Sequence, residues 1–246
     1  MDGVTRLHAP AKLTFSLRVT GTRPDGYHLI SAEMATIDLV DAVEISEAGT
    51  SSLDVDGPFA AGVPTDGTNL VMKALGLAGR TARVRVTKNI PNGGGLGGGS
   101  ADAAAVLRWA GFGDLPAAAA VGADIPFCMV GGRAEVSGIG ETVRPLPHVD
   151  RMVTLVIPPL HVSTPAVYRM WDELGGPTTH PVNHLTEAAL AVEPELAVWR
   201  DRIGQAAGAE PVLAGSGATW FLHGHHAHIA DALHGATVIT TNTRPA

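Results

Sequence analysis

Six of the seven residues from Gly93 to Gly99 are glycine, with Leu96 the exception. Glycine loses more conformational freedom on folding than any other residue, so a run this dense needs a reason. One reading is a flexible surface linker. The other is a loop whose backbone wraps an anion, N–H groups inward, with the positive end of a helix beyond it. The flanks favour the second. Residues 82–88, ARVRVTK, alternate cleanly and read as a strand. The segment from Ser100, SADAAAVLRWAG, reads as an alanine-rich helix ended by Gly111. A linker is not expected between two such strong elements, nor with Leu96 as a lone apolar anchor. The loop lacks the Gly-Lys-Ser/Thr ending of the common P-loop. It also lacks the strand and acidic residue about 20 positions on that mark a dinucleotide site. With no lysine in the loop, phosphate charge must be met by backbone groups, Mg²⁺ and residues elsewhere.

The chain has 246 residues, 45% of them hydrophobic and 17% charged. At about 150 residues per domain, that is one large domain or two small ones. The apolar share excludes a disordered chain. The lack of any apolar run of about 18 residues excludes a spanning helix. The start, MDGVTRLHAPAKL, has no signal-peptide pattern. A single cysteine, Cys128, excludes an internal disulfide framework and a cysteine-rich zinc site, and reads as a small buried residue. A net charge of −7 argues against a nucleic-acid partner. A cytoplasmic enzyme with small-molecule substrates and no membrane partner is the expectation. Lysine occurs only at Lys12, Lys73 and Lys88 in a chain otherwise biased to arginine.

Strands are expected over 4–19, 28–46, 82–88, 133–137, 152–157, 219–222 and 236–241. Helices are expected from Thr68 to Leu77, after Ser100, from Ser163 to about Leu174, over 194–207, and briefly between the last two strands. Residues 51–68, with Gly, Pro and Asp, read as a loop. Strands and helices mix without strict alternation, so the fold class is α+β. Pro145 and Pro147 precede a fresh strand, which suggests a boundary near residue 150. The expected division is 1–150, carrying the glycine loop, and 151–246, on the substrate side.

The ordered set of motifs resembles the GHMP kinase superfamily of galactokinase, homoserine kinase and mevalonate kinase. APAKLTF at 9–15, DGYH at 25–28, PNGGGLGGGSADAA at 91–104 and GADIPF at 122–127 carry the resemblance. Weaker echoes are Thr68-Asn69-Leu70, STPAVY at 163–168 and GSGAT at 215–219. The triple-glycine loop and DGYH resemble a branch acting on a cytidyl diphosphate sugar alcohol in non-mevalonate isoprenoid synthesis. The resemblance implies a two-domain fold with the active site in the cleft between domains, and ATP and Mg²⁺ as cofactors. Alternatives are another alcohol or sugar kinase of the superfamily, or a nucleotide-binding relative that has lost catalysis. The chain is shorter than is usual for the family. Thr14 and Ala101 stand where Asn and Ser are common.

Asp124, among apolar neighbours, reads either as a helix N-cap or as a carboxylate that accepts a hydroxyl proton. The resemblance implies the second. Lys12 reads as an edge lysine reaching solvent or, as the resemblance implies, as the cation paired with Asp124. Pro91, Gly93, Gly94, Gly95, Leu96, Gly97, Gly98, Gly99 and Ser100 form the expected ATP loop, with Asn69 on the nucleotide side. Ser100 also suits a helix N-cap. Asp102 is expected in the first helical turn, favoured by the dipole, with support of bound Mg²⁺ as the alternative. The resemblance makes Tyr27 and Tyr168 the two aromatic faces for a base, and His28 a reader of its polar edge. His223, His225, His226 and His228 read as a solvated turn rather than a metal cluster.

Overall fold

The computed structural model describes residues 3–246. Its spine is a long antiparallel hairpin, β1 (Thr5–Thr22) and β2 (His28–Glu47), joined by the Pro24-Asp25-Gly26 turn. The β1 register shifts between Pro10 and Lys12, between Thr14 and Ser16 and between Val19 and Gly21. Such irregularities bend a strand and re-aim its side chains. Around β2 the first sheet adds β3 (Ser52–Asp56), β4 (Ala82–Thr87), β5 (Arg133–Gly138) and β6 (Thr142–Leu146). The first part of β2 pairs with β5 and its last part with β4, while β3 runs parallel to β4 at the edge.

Four helices belong to this half: α1 (Leu70–Leu77), α2 (Gly98–Trp109), α3 (Leu115–Val121) and α4 (Ile125–Val130). Every residue of α2 from Ala101 to Leu107 is buried, Asp102 included. Alanine makes that possible, because a helix with short side chains can be covered on all sides. The second half builds its own antiparallel sheet in the order β10-β7-β9-β8. Its strands are β7 (Met152–Ile157), β8 (Val212–Leu213), β9 (Trp220–His223) and β10 (Thr237–Asn242). Helices α5 (Thr164–Glu173), α6 (Thr186–Val192) and α7 (Glu195–Ala207) and a 3₁₀ turn at Ala227–Ala232 complete it. The halves share apolar interior: Leu13, Phe15 and Leu96 of the first pack with Leu155, Ala214 and Phe221 of the second.

The α+β expectation and the main strands agree with the structure. The loop read over 51–68 is corrected, because Ser52–Asp56 is a strand with Leu53 buried. Its alternation is too short to stand out beside the Gly and Pro that follow. Five further elements, α3, α4, β6, α6 and the two-residue β8, carry no strong signal in the sequence. In β6, Pro145 is tolerated because the strand lies at the sheet edge and pairs only with β5. No helix among the described residues is long and apolar enough to cross a membrane.

Candidate active site

The β1 irregularity at Pro10–Lys12 turns Lys12 toward the glycine loop. Its backbone N–H donates to the Leu96 carbonyl at 2.9 Å, so strand and loop are tied at the backbone. Its side chain is buried, with Nζ 3.2 Å from Asp124 Oδ2 and 3.2 Å from Thr14 Oγ1. Asp124 stands at the N-cap of α4 but makes no capping bond with its side chain. The carboxylate instead turns to Lys12, and a third of it stays open to solvent. Asp124 thus holds the N-cap position, while its carboxylate serves the contact with Lys12 and not the helix end.

The loop is shaped by residues in the left-handed region. Gly97 has φ +70°, and a Cβ there would lie 2.8 Å from Lys12 Cγ. Gly95 has φ +73°, and a Cβ would lie 3.2 Å from the Gly217 carbonyl. Both positions need glycine for conformation and for close approach. Gly97 is also the N-cap of α2, so Ser100 sits inside the first turn and is not the cap. Gly93, Gly98 and Gly99 keep some surface, whereas Pro91 and Gly94 are buried. Leu96 is buried and anchors the loop in the core shared by the two halves. Asn69 caps α1, accepting from the Val71 N–H at 2.8 Å and donating to the Pro64 carbonyl at 2.7 Å.

Beneath the loop lies an ion cluster that the sequence reading missed. Lys88 Nζ donates to Asp41 and, at 2.6 Å, to Asp102 Oδ2, with all three residues buried. Asp41 Oδ1 also accepts from the backbone N–H groups of Asn89 and Ile90, at 2.5 and 2.8 Å. The cluster thus joins the segment before the loop to the helix after it. Asp102 is not in the first turn of α2, so its expected role with the dipole is corrected. Burial, with Asp41 adding, pushes its carboxyl up to about 7 against the pull of Lys88. Asp102 Oδ1 is buried with no hydrogen-bond partner. Desolvation acts to lower the Lys88 pKa, but the two carboxylates together raise it.

A cleft of about 690 Å³ runs between the halves. Lys12, Gly95, Ser100 and Asp124 line it together with Tyr27, His28 and Tyr168. Thr14, Arg169, Asp172 and Ser216 line it too. A smaller recess of about 360 Å³ continues past Gly93 and Gly95 to Ser163, Thr164 and Gly217. Tyr27 is 61% exposed on the outer wall. One face of Tyr168 is already covered by His28, with ring centres 4.8 Å apart. Burial pushes the Tyr168 phenol up. Cys128 behaves as a small buried residue, its thiol pushed up to about 12 by burial.

A hairpin that carries a lysine, a glycine loop opening a buried helix, and a second sheet closing one cleft together define a fold of the GHMP kinase class. Residues 67–132 match the family "GHMP kinases N terminal domain". The chain is 39% identical over 236 residues to the 4-diphosphocytidyl-2-C-methyl-D-erythritol kinase of Paracoccus denitrificans, covering 87% of this chain and 84% of that one. It is 37% identical to the enzyme of that name from Ruegeria pomeroyi, covering 87% and 86%. A crystal structure of 4-(cytidine 5'-diphospho)-2C-methyl-D-erythritol kinase superposes with a TM-score of 0.77 at 29% identity, over 98% of this chain and 100% of that one. The chain belongs to the 4-diphosphocytidyl-2-C-methyl-D-erythritol kinase family.

Proposed function

We propose that this enzyme transfers the γ-phosphoryl group of ATP to the 2-hydroxyl of 4-diphosphocytidyl-2-C-methyl-D-erythritol, in the non-mevalonate route to isoprenoid precursors. The observation that carries the reading is the Lys12–Asp124 pair, which faces Gly95 and Ser100 across one cleft. Phosphoryl transfer needs the hydroxyl held in line with the γ-phosphorus and the charge on its oxygens met. Asp124 accepts the hydroxyl proton as the oxygen–phosphorus bond forms and the bond to ADP breaks. Lys12 holds that carboxylate and meets the transferring phosphoryl oxygens. The amides of Gly93–Gly99 and the start of α2 receive the remaining phosphates.

The described residues hold no group of three metal-ligating side chains. The donor set fits a Mg²⁺ carried in on the triphosphate, which needs few protein ligands. That ion supplies charge neutralisation on the phosphates, and Ser100 is the hydroxyl the loop offers beside them. Asn69 and Pro91 flank the adenosine end. Tyr27, His28 and Tyr168 form the end of the cleft for the cytidine, and Arg169 is the cation on that wall for the substrate's diphosphate. ATP as co-substrate suits a cytoplasmic enzyme. Steady-state phosphorylation of the cytidyl substrate, set against homoserine, mevalonate and galactose, tests the reading. Turnover of one of the other alcohols in preference to the cytidyl substrate would refute it.

A further inference from the structure

Helix α5 sends three side chains to a single residue of the other half. Tyr168, Trp171 and Asp172 stand at i, i+3 and i+4 and so share a helical face. His28, the first residue of β2, meets all three. Tyr168 stacks on the imidazole at 4.8 Å and 27°, and Trp171 meets it edge to face at 5.6 Å and 89°. Asp172 Oδ1 lies 2.8 Å from His28 Nε2. Trp171 is itself held, donating from Nε1 to the Pro177 carbonyl at 3.0 Å. The His28 side chain is only 10% exposed, whereas that of Asp172 is 51% exposed.

This contact fixes more than the ring's position. An ionised carboxylate only accepts, so His28 Nε2 must carry the hydrogen. In the neutral ring Nδ1 is then an acceptor. Among the described residues neither His28 Nδ1 nor Asp172 Oδ2 has a protein hydrogen-bond partner. Both residues line the cleft. Together they give this corner acceptors in search of a donor.

We propose that Asp172 is a specificity-determining positioning residue, which holds His28 in its Nε2–H tautomer so that this corner accepts from the base of the nucleotide substrate. Cytosine offers an exocyclic amino donor there. Uracil offers a carbonyl at the same ring position, which would set acceptor against acceptor. A corner built to receive a hydrogen bond discriminates strongly, because the wrong base leaves its polar groups unpaired. The inference rests on the cytidyl-substrate reading above.

The test uses CDP and UDP as probes, with steady-state kinetics on the cytidyl substrate. The wild-type enzyme is expected to bind CDP at least tenfold more tightly than UDP. Asp172→Ala should lose most of that ratio by weakening CDP, and Asp172→Glu should restore part of it. The kinetic effect should fall on KM for the cytidyl substrate and not on KM for ATP. Nitrogen-15 NMR of the imidazole should show His28 protonated at Nε2 alone in the wild type, and a tautomer mixture in Asp172→Ala. A CDP-to-UDP ratio unchanged in Asp172→Ala, or a wild-type ring protonated at Nδ1, overturns the proposal and leaves the kinase reading intact. A wild-type enzyme indifferent to CDP and inactive on the cytidyl substrate overturns both.

Discussion

Lys12 Nζ sits 3.2 Å from Asp124 Oδ2, and a Cβ on Gly97 would lie 2.8 Å from Cγ of the same lysine. One side chain therefore touches both the acid and the glycine loop. Asp124→Ala removes the proposed proton acceptor while leaving the loop and Lys12 in place. Turnover should fall by roughly 10²–10⁴-fold, the range for a general base. ATP affinity, read by calorimetry, should hold. A folded variant with near-normal turnover would remove Asp124 from the mechanism.

Gly97→Val asks a branched residue to adopt φ +70° and to occupy the space of the Lys12 stem. The first demand alone costs on the order of 1–3 kcal/mol. Lys12 must also move, and with it the contact to Asp124. ATP binding and turnover should both collapse, with a smaller loss of thermal stability. Calorimetry that returned wild-type ATP affinity would show the loop to be a linker.

The buried carboxyl of Asp102, raised to about 7 from an ordinary value of 3.8, makes stability depend on pH. Between those values the native chain keeps a proton that the unfolded chain has released. Stability from this group therefore falls as pH rises through the window, by up to about 1.4 kcal/mol per pH unit. Asp102→Asn lacks that titration. Melting curves should show the variant gaining on the wild type from about pH 4 to about pH 7, with the difference level above that. Parallel curves across the range would mean that Asp102 stays ionised beside Lys88.

Tyr168 stacks on the His28 imidazole in the structure, and the proposed function gives it a second duty, to the cytosine ring. Aromatic pairs contribute about 0.5–1.5 kcal/mol beyond buried area. Tyr168→Ala should raise the dissociation constant of CDP at least roughly tenfold and leave ATP binding nearly constant. Tyr27→Ala, at a 61% exposed site, should weaken CDP with almost no change in melting temperature. Unaltered CDP binding in both variants would move the cytidine elsewhere in the cleft.

What could be read along the chain was local. The glycine run, the alternating strand before it and the alanine helix after it are each written in consecutive residues. Lys12 and Asp124, each standing alone among apolar neighbours, were visible as oddities, and the resemblance supplied their pairing. Elements whose signal is short or mixed, such as Ser52–Asp56 and Ile125–Val130, were not legible, because their burial comes from neighbours distant in sequence.

The sequence by itself determined the loop, its helix and the α+β pattern, since period and glycine content act within a few residues. Only the tertiary structure decided which charges meet. The pairing of Ala42 with Thr87 across β2 and β4 brings Asp41 beside Lys88, and the docking of α2 adds Asp102. In the same way the docking of α5 against the start of β2 chose Asp172 as the partner of His28. A charged side chain carries no local sign of its partner, because strand register and helix docking set that distance and both are fixed by burial of the apolar faces.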